Sequence, residues 1–259
     1  MLEPRAALHL PRRATRAAPV ALLLGVATVA WVLTNARMGG MAAAPFSDLG
    51  AIGAFSVSWP LMMAAMMLPA IAPMVVAYDH HRSAPAGATA ILVTGYLLTW
   101  LAAGLLAYAV IEGVRSLGPS FLAWDHLGRA LTAAVIAAAA LYQLTPAKAV
   151  CLGHCRDTHT FLRERWRCGR GGALRMGLAH GAVCVGCSWA LMLALFALGA
   201  MSLTWMVVVA ALIAAERLLP WVNAPHRAVA VALLVLAAGV ALAPSDVPGL
   251  TLPVQAMRM

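Results

Sequence analysis

Charged side chains are scarce in this 259-residue sequence: they make up 10% of the residues, and only nine of them are acidic. A soluble domain carries about a quarter charged residues, so this composition excludes an ordinary soluble protein. Lys148 is the single lysine, and the net charge of +9 therefore comes almost entirely from arginine. The arginines stand between apolar runs, as in the connections of a membrane protein, and do not indicate binding to nucleic acid.

Several functional motifs are absent as well. The sequence has no glycine-rich phosphate loop ending in Lys-Ser/Thr, which excludes nucleotide hydrolysis within this chain. It has neither Gly-x-Ser-x-Gly nor His-Glu-x-x-His, so an enzyme is less favoured than a binding protein. The five cysteines are odd in number and clustered, unlike the scattered pairs of a secreted disulfide framework. Reduced thiols that bind metal or take part in redox chemistry fit this pattern better.

Apolar residues dominate what is present, at 63% of the chain with a mean hydropathy of +0.86. They form seven runs close to the ~20 residues that a bilayer core demands. The runs predict an all-α, polytopic transmembrane helix bundle with spans at 18–35, 56–78, 87–111, 128–145, 174–198, 202–219 and 227–243. We expect a single transmembrane domain, 18–243, between a basic N-terminus, 1–17, and a short tail, 244–259.

The basic residues predict the orientation of these spans. With the N-terminus in the cytoplasm, 14 of the 18 basic residues fall on the cytoplasmic side, as the positive-inside rule requires. The tail then lies outside, and a bacterial inner membrane is the expected location. The connection 146–172 becomes cytoplasmic, with a short amphipathic surface helix expected in its first half and a flexible loop in its second. The fifth and sixth spans are expected to form an antiparallel hairpin.

Two clusters of cysteine and histidine border the fifth span. They are Cys151-x-x-His154-Cys155, in the preceding connection, and His180-x-x-x-Cys184-x-x-Cys187, within the span. On a helix the second cluster lies within about 60° of arc, and the first also shares one face if it is helical. Thiolate and imidazole side by side suit Cu(I), Zn(II) or an iron–sulfur cluster. The alternative is that these cysteines are small packing residues or an incidental loop pair.

The second span adds a group of methionines, followed by two prolines that are expected to kink the helix. They are Met62, Met63, Met66 and Met67, then Pro69 and Pro73. Thioethers bind Cu(I) well, but methionine is also the ordinary filler of helix contacts. A metal relay and simple packing both remain open. Glu216, near the inner end of the sixth span, is expected to pair with Arg217, Arg175 or another arginine.

The segments that carry these residues resemble a bacterial family of predicted metal-binding integral membrane proteins, a domain of unknown function that is sometimes labelled a copper chaperone. The matching motifs are Met62-Met63-Ala-Ala-Met66-Met67-Leu-Pro69, Tyr142-Gln-Leu-Thr-Pro146-x-Lys148 with the first cluster after it, and Gly177-Leu-Ala-His180-Gly181-x-x-Cys184-x-Gly186-Cys187-x-Trp189. They extend to Glu216 and cover about residues 55–220. In the family a second cysteine often follows the position of Cys187, where this chain has Ser188. The resemblance implies a metal-associated membrane protein, without a reaction or a direction of transport.

Three hypotheses follow. The first is a protein that handles a soft metal, most simply Cu(I), with the methionines as a relay, the second cluster as the intramembrane site and the first cluster as the cytoplasmic exchange site. Its partners would be the lipid bilayer, the metal ion and a periplasmic or membrane cuproprotein. The second is a membrane thiol–disulfide oxidoreductase with Cys184/Cys187 as catalytic pair and Cys151/Cys155 as exchange pair. The third is a structural subunit of a membrane complex that holds zinc.

Overall fold

The computed structural model describes residues 12–38, 50–80, 85–116, 128–199, 202–219 and 225–247. These residues form nine α-helices, and no strand occurs among them, which confirms the all-α fold. The helices are α1 (Arg12–Met38), α2 (Ile52–Asp79), α3 (Ala88–Ser116), α4 (Arg129–Gln143), α5 (Pro146–Arg156), α6 (Thr158–Arg165), α7 (Gly169–Leu198), α8 (Leu203–Leu218) and α9 (Pro225–Leu242). Most of the tail, 248–259, and residues 1–11 lie outside the described residues.

Every predicted apolar run lies in a helix, but the helices differ in length. Four of them, α1, α2, α3 and α7, are long and apolar enough to cross a membrane, which is consistent with a multi-pass membrane protein. The bent pair of α4 and α5 qualifies as a fifth. Helix α8 has 16 residues, about 24 Å against a hydrocarbon core of about 30 Å. The apolar part of α9 is also short, so the seven crossings stay a prediction.

The break between α4 and α5 has a local cause. The Thr145 hydroxyl accepts a hydrogen bond from the backbone N–H of Lys148 at 3.2 Å, and Pro146 occupies the first helical position, where no amide hydrogen is needed. The chain bends by 66° at this cap. Helix α5 therefore folds back against α7 and α8.

The second half of the 146–172 connection differs from the prediction. A flexible loop was expected, but Thr158–Arg165 is helix α6, and α7 already begins at Gly169. Asp157 starts α6, because its carboxylate accepts the backbone N–H of Thr160 at 3.0 Å. That hydrogen bond also lowers the pKa of the Asp157 carboxyl from its ordinary value. Asp157 at the N-cap was the sequence signal for α6, but the glycine- and arginine-rich composition around it favoured a loop.

Helices α3 and α7 make the most extensive contact between two helices of the described fold. A Cβ on Gly95 of α3 would lie 2.5 Å from the carbonyl oxygen of Leu174, and one on Gly177 of α7 would overlap the carbonyl of Leu92. Small residues at these points let the two backbones meet. Further along, Gly181 meets α3 near Tyr96. Contacting positions rise together along both helices, so α3 and α7 are parallel, as the alternating orientation requires of the third and fifth spans.

The centre of the fold is formed by α2 and α7, which are buried over most of their lengths, whereas α1 and α3 are much more exposed. Helix α2 runs unbroken through its three prolines. It lies antiparallel to α3, where the Trp59 indole donates to the carbonyl oxygen of Trp100 at 2.7 Å and stacks on Phe196 of α7. Large apolar side chains on the outer helices, such as Leu106 and Leu22, are exposed, as lipid-facing positions would be.

Candidate functional site

Three buried cysteines form a thiol cluster, which we define as Cys155 of α5 with Cys184 and Cys187 of α7. The sulfur atoms of Cys155 and Cys187 are 3.6 Å apart. Cys184 and Cys187 lie one turn apart on the same face of α7, as predicted. All five cysteines of the chain are free thiols. The bend after α4 is what brings Cys155 to α7, so the two predicted clusters meet through this one residue.

The side chain of Arg217 lies against two sulfurs of the thiol cluster. Its Nη2 donates to Cys184 Sγ at 2.6 Å and to Cys187 Sγ at 3.2 Å. Helix α3 also packs against α7, and the hydroxyl of its Tyr96 lies 2.9 Å from Cys184 Sγ. A buried guanidinium is costly unless it is paired, and here the sulfurs are its partners. From the sequence, Arg217 was expected only as a cytoplasmic charge and a possible partner of Glu216, and its contact with the sulfurs was not predicted. The signal available in the sequence was the pair of adjacent charged residues, Glu216 and Arg217, in the last turn of the apolar helix α8.

A buried ion pair fastens α5, α7 and α8 around the thiol cluster. Lys148 Nζ lies 2.6 Å from Glu216 Oε2, and both side chains are 2% exposed. The same ammonium donates to the backbone carbonyl oxygen of Cys187 at 2.5 Å. The guanidinium of Arg156 donates to the backbone carbonyl oxygen of Glu216, 2.7 Å from Nε, and so caps the end of α8. The expectation that Glu216 pairs with an arginine side chain is wrong, because its carboxylate pairs with Lys148.

His180 is buried one turn before Cys184 in α7, about 6 Å along the helix axis. Its ring meets Phe161 of α6 edge-on, with centroids 5.2 Å apart, and Tyr96 of α3 at 6.1 Å. Within the described part of the chain, its Nδ1 has no hydrogen-bond partner. The imidazole therefore stands in aromatic surroundings with a nitrogen available to a ligand, on the face that the sequence predicted.

The other two members of the first cluster lie apart from the thiol cluster. Cys151 is half-buried, and its sulfur would be 3.3 Å from a Cβ on Gly186 of α7. His154 is exposed, and its Nδ1 lies 2.8 Å from the carbonyl oxygen of Val150 in its own helix. The three residues share a broad face of α5, but the rotation of about 100° per residue turns only Cys155 fully inward.

The four methionines of α2 lie in the packed interior of the described fold. Met62, Met63, Met66 and Met67 are each at most 3% exposed. Because α2 and α3 are antiparallel and Trp59 meets Trp100, Met63 falls at the depth of Tyr96. Packing accounts for their burial, and the predicted relay stays a prediction.

Across the described residues, no group of three or more His, Cys, Asp or Glu side chains is arranged to hold a metal ion. In the thiol cluster the Arg217 guanidinium lies against two of the three sulfurs. Zinc takes four ligands, which these three sulfurs alone do not supply. A soft monovalent ion is satisfied by two sulfur ligands, and α7 offers two in adjacent turns.

Comparison with known families matches residues 56–240 to PpoB2, a family described as a copper chaperone. The matched segment is most of the chain and includes the thiol cluster, Arg217 and the methionines of α2. No curated protein and no solved structure matches the chain. On this match, the chain belongs to the PpoB2 copper chaperone family.

Proposed function

We propose that this protein is a membrane-embedded Cu(I)-binding protein that acts in copper delivery or transport, with Cys184 and Cys187 as its core ligands. The observation that carries the proposal is the convergence of the three sulfurs of the thiol cluster in one buried place. Thiolates select soft ions such as Cu(I). The copper description of the family supports the same ion.

Cys155 serves as the exchange ligand in this proposal. It comes from a different helix, and its sulfur is 3.6 Å from that of Cys187. A third thiolate lets the ion pass through a three-coordinate state and change partners without being released. Cys151, one turn earlier in α5 with its sulfur near Gly186 of α7, and the exposed His154 are proposed to receive or supply the ion together with Cys155.

Soft side chains along α7 support a path to the core ligands. A cleft of about 810 Å³ between α6 and α7 is lined by Met176 and Ala179, together with several arginines. His180 follows directly, and Cys184 lies one turn deeper. The buried methionines of α2 are proposed as the relay that approaches the same depth from the other side.

Copper titration of the purified protein tests the core site. Replacing both Cys184 and Cys187 with serine is expected to abolish stoichiometric Cu(I) binding, because both core thiolates are lost. Binding is measured by competition with a coloured Cu(I) chelator, and folding by size-exclusion chromatography. The matched control is Cys168→Ser, since Cys168 is exposed at the start of α7. Undiminished binding in the double variant would rule out the core site.

A thiol–disulfide oxidoreductase is the second candidate, favoured by the 3.6 Å separation of the Cys155 and Cys187 sulfurs. A disulfide between them differs from the pairs expected from the sequence. Its formation releases two protons and two electrons, which a quinone would accept.

Mass spectrometry after thiol trapping discriminates between the two candidate functions. A Cys155–Cys187 disulfide that cycles with added quinone supports the oxidoreductase, and thiols protected by copper support the copper protein. Metal analysis of gently purified protein separates both from a subunit with static zinc.

A further inference from the structure

Arg217 puts a fixed positive charge at the thiol cluster. Arginine stays protonated at every physiological pH, and its Nη2 contacts both Cys184 and Cys187. Its neighbour Glu216 does not neutralise it, because that carboxylate pairs with Lys148. Among the described side chains in contact with the cluster, Lys148 and Glu216 cancel, and the charge of Arg217 is left for the sulfurs and their ion to balance.

The charge of the occupied site depends on the ion. Two thiolates with one monovalent ion carry a single negative charge, which the guanidinium neutralises. Two thiolates with one divalent ion carry none, and a positive charge is then buried without compensation, which is unfavourable. We propose that Arg217 is the specificity-determining residue of the site, and that it selects a monovalent soft ion, Cu(I) or Ag(I), over a divalent one. This inference rests on the proposed function.

Contacts of the guanidinium agree with such a role. A thiolate sulfur carries several lone pairs, so an N–H donor and a bound ion can share it. In the described part of the chain the Nε of Arg217 has no hydrogen-bond partner, and its Nη2 donates to both sulfurs. The guanidinium can therefore adjust when an ion arrives without breaking an ion pair to a carboxylate.

Cys155 offers a divalent ion a protein ligand with which it reaches the same charge balance. Three thiolates with Zn(II) also carry a single negative charge, yet zinc then has three ligands where it takes four. Cys155→Ser isolates the two-thiolate site. In that variant the preference for Cu(I) over Zn(II) that Arg217 imposes should be stronger than in the wild type.

The experiment compares Arg217→Gln and Arg217→Lys with the wild type, each as the full chain in detergent. Affinities for Cu(I), Ag(I) and Zn(II) are measured by competition with chelators of known affinity. Loss of the charge is expected to weaken Cu(I) and Ag(I) binding about tenfold or more, the equivalent of one hydrogen bond to a charged group. Zn(II) binding should strengthen in Arg217→Gln, and Arg217→Lys should keep most of the wild-type preference.

Failure of the inference and failure of the proposed function give different results. If Arg217→Gln and the wild type both bind Cu(I) with the same preference over Zn(II), Arg217 does not determine specificity and the copper function stands. If the wild type binds no Cu(I), the proposed function itself fails. Should Arg217→Gln not fold, Arg217→Met, which removes the charge but keeps a long side chain, takes its place: a reduced preference for Cu(I) over Zn(II) supports the inference, and an unchanged preference overturns it.

Discussion

At the scale of single residues, the buried polar side chains organise the site as much as the cysteines do. Lys148 joins three helices through one ammonium group, which contacts the Glu216 carboxylate and the backbone of Cys187. Buried ion pairs contribute little net stability, but removal of one partner leaves a charge stranded. Lys148, the single lysine of the chain, therefore stabilises the packing of α5, α7 and α8 next to the thiol cluster.

Lys148→Met is expected to destabilise the protein by about 3 kcal/mol or more, because it leaves the Glu216 carboxylate buried without its partner. The double variant Lys148→Met/Glu216→Leu should recover much of that loss, since neither charge remains. Thermal unfolding in detergent measures both variants, with Arg170→Met at an exposed position of α7 as the control. A double variant that is less stable than the single one would contradict this account.

At the scale of helices, the parallel contact of α3 with α7 positions the phenol that touches the site. Leu92 and Tyr96 are one turn apart on α3; the first meets Gly177 and the second reaches Cys184. Any increase in the separation of these helices must draw the Tyr96 hydroxyl away from the sulfur. Likewise, the bend between α4 and α5 holds the Cys155 sulfur close to that of Cys187 on α7.

Gly177→Ala should separate α3 from α7, because the added Cβ overlaps the carbonyl of Leu92. We expect a loss of roughly 1–3 kcal/mol in stability, typical of overpacking, and weaker Cu(I) binding. Gly171→Ala is the matched control: it lies in the same helix with open space around it. Equal melting temperatures and Cu(I) affinities for the two variants would show that the close approach is not required.

At the scale of the whole molecule, the predicted orientation in the bilayer would decide on which side the proposed copper exchange takes place. The parallel arrangement of α3 and α7 agrees with alternating spans if α4 and α5 together make one crossing. Lys148 and Arg217 were counted with the cytoplasmic charges, yet both are buried. The remaining cytoplasmic arginines still outnumber the outer ones, so the predicted orientation keeps its basis.

Cys168 offers a native probe of this orientation, because it is exposed between α6 and α7. A membrane-impermeant maleimide is expected to label it in inverted vesicles and not in right-side-out vesicles. Peptide mapping by mass spectrometry identifies the labelled residue, and the buried Cys184 serves as an internal control that reacts only after unfolding. Labelling of Cys168 in right-side-out vesicles would reverse the orientation and with it the proposed exchange side.

Much of the fold could be predicted, because long apolar runs specify helices whatever surrounds them. The shared face of His180, Cys184 and Cys187 followed in the same way from the regular geometry of one helix. The capped bend at Thr145 and helix α6 were not recognised. Their signals are single capping residues within a stretch whose composition otherwise indicates a loop.

The sequence by itself determined the helical class, the shared face of His180, Cys184 and Cys187 on α7, and the small residues at which α3 approaches. Each of these depends on residues within a few turns of one another. Only the tertiary structure decided that Cys155 joins the thiols, that Lys148 rather than an arginine pairs with Glu216, and that Arg217 faces the sulfurs. Those contacts join residues 30 to 68 positions apart in the chain. They depend on how α5 and α8 dock against α7, which no local pattern specifies.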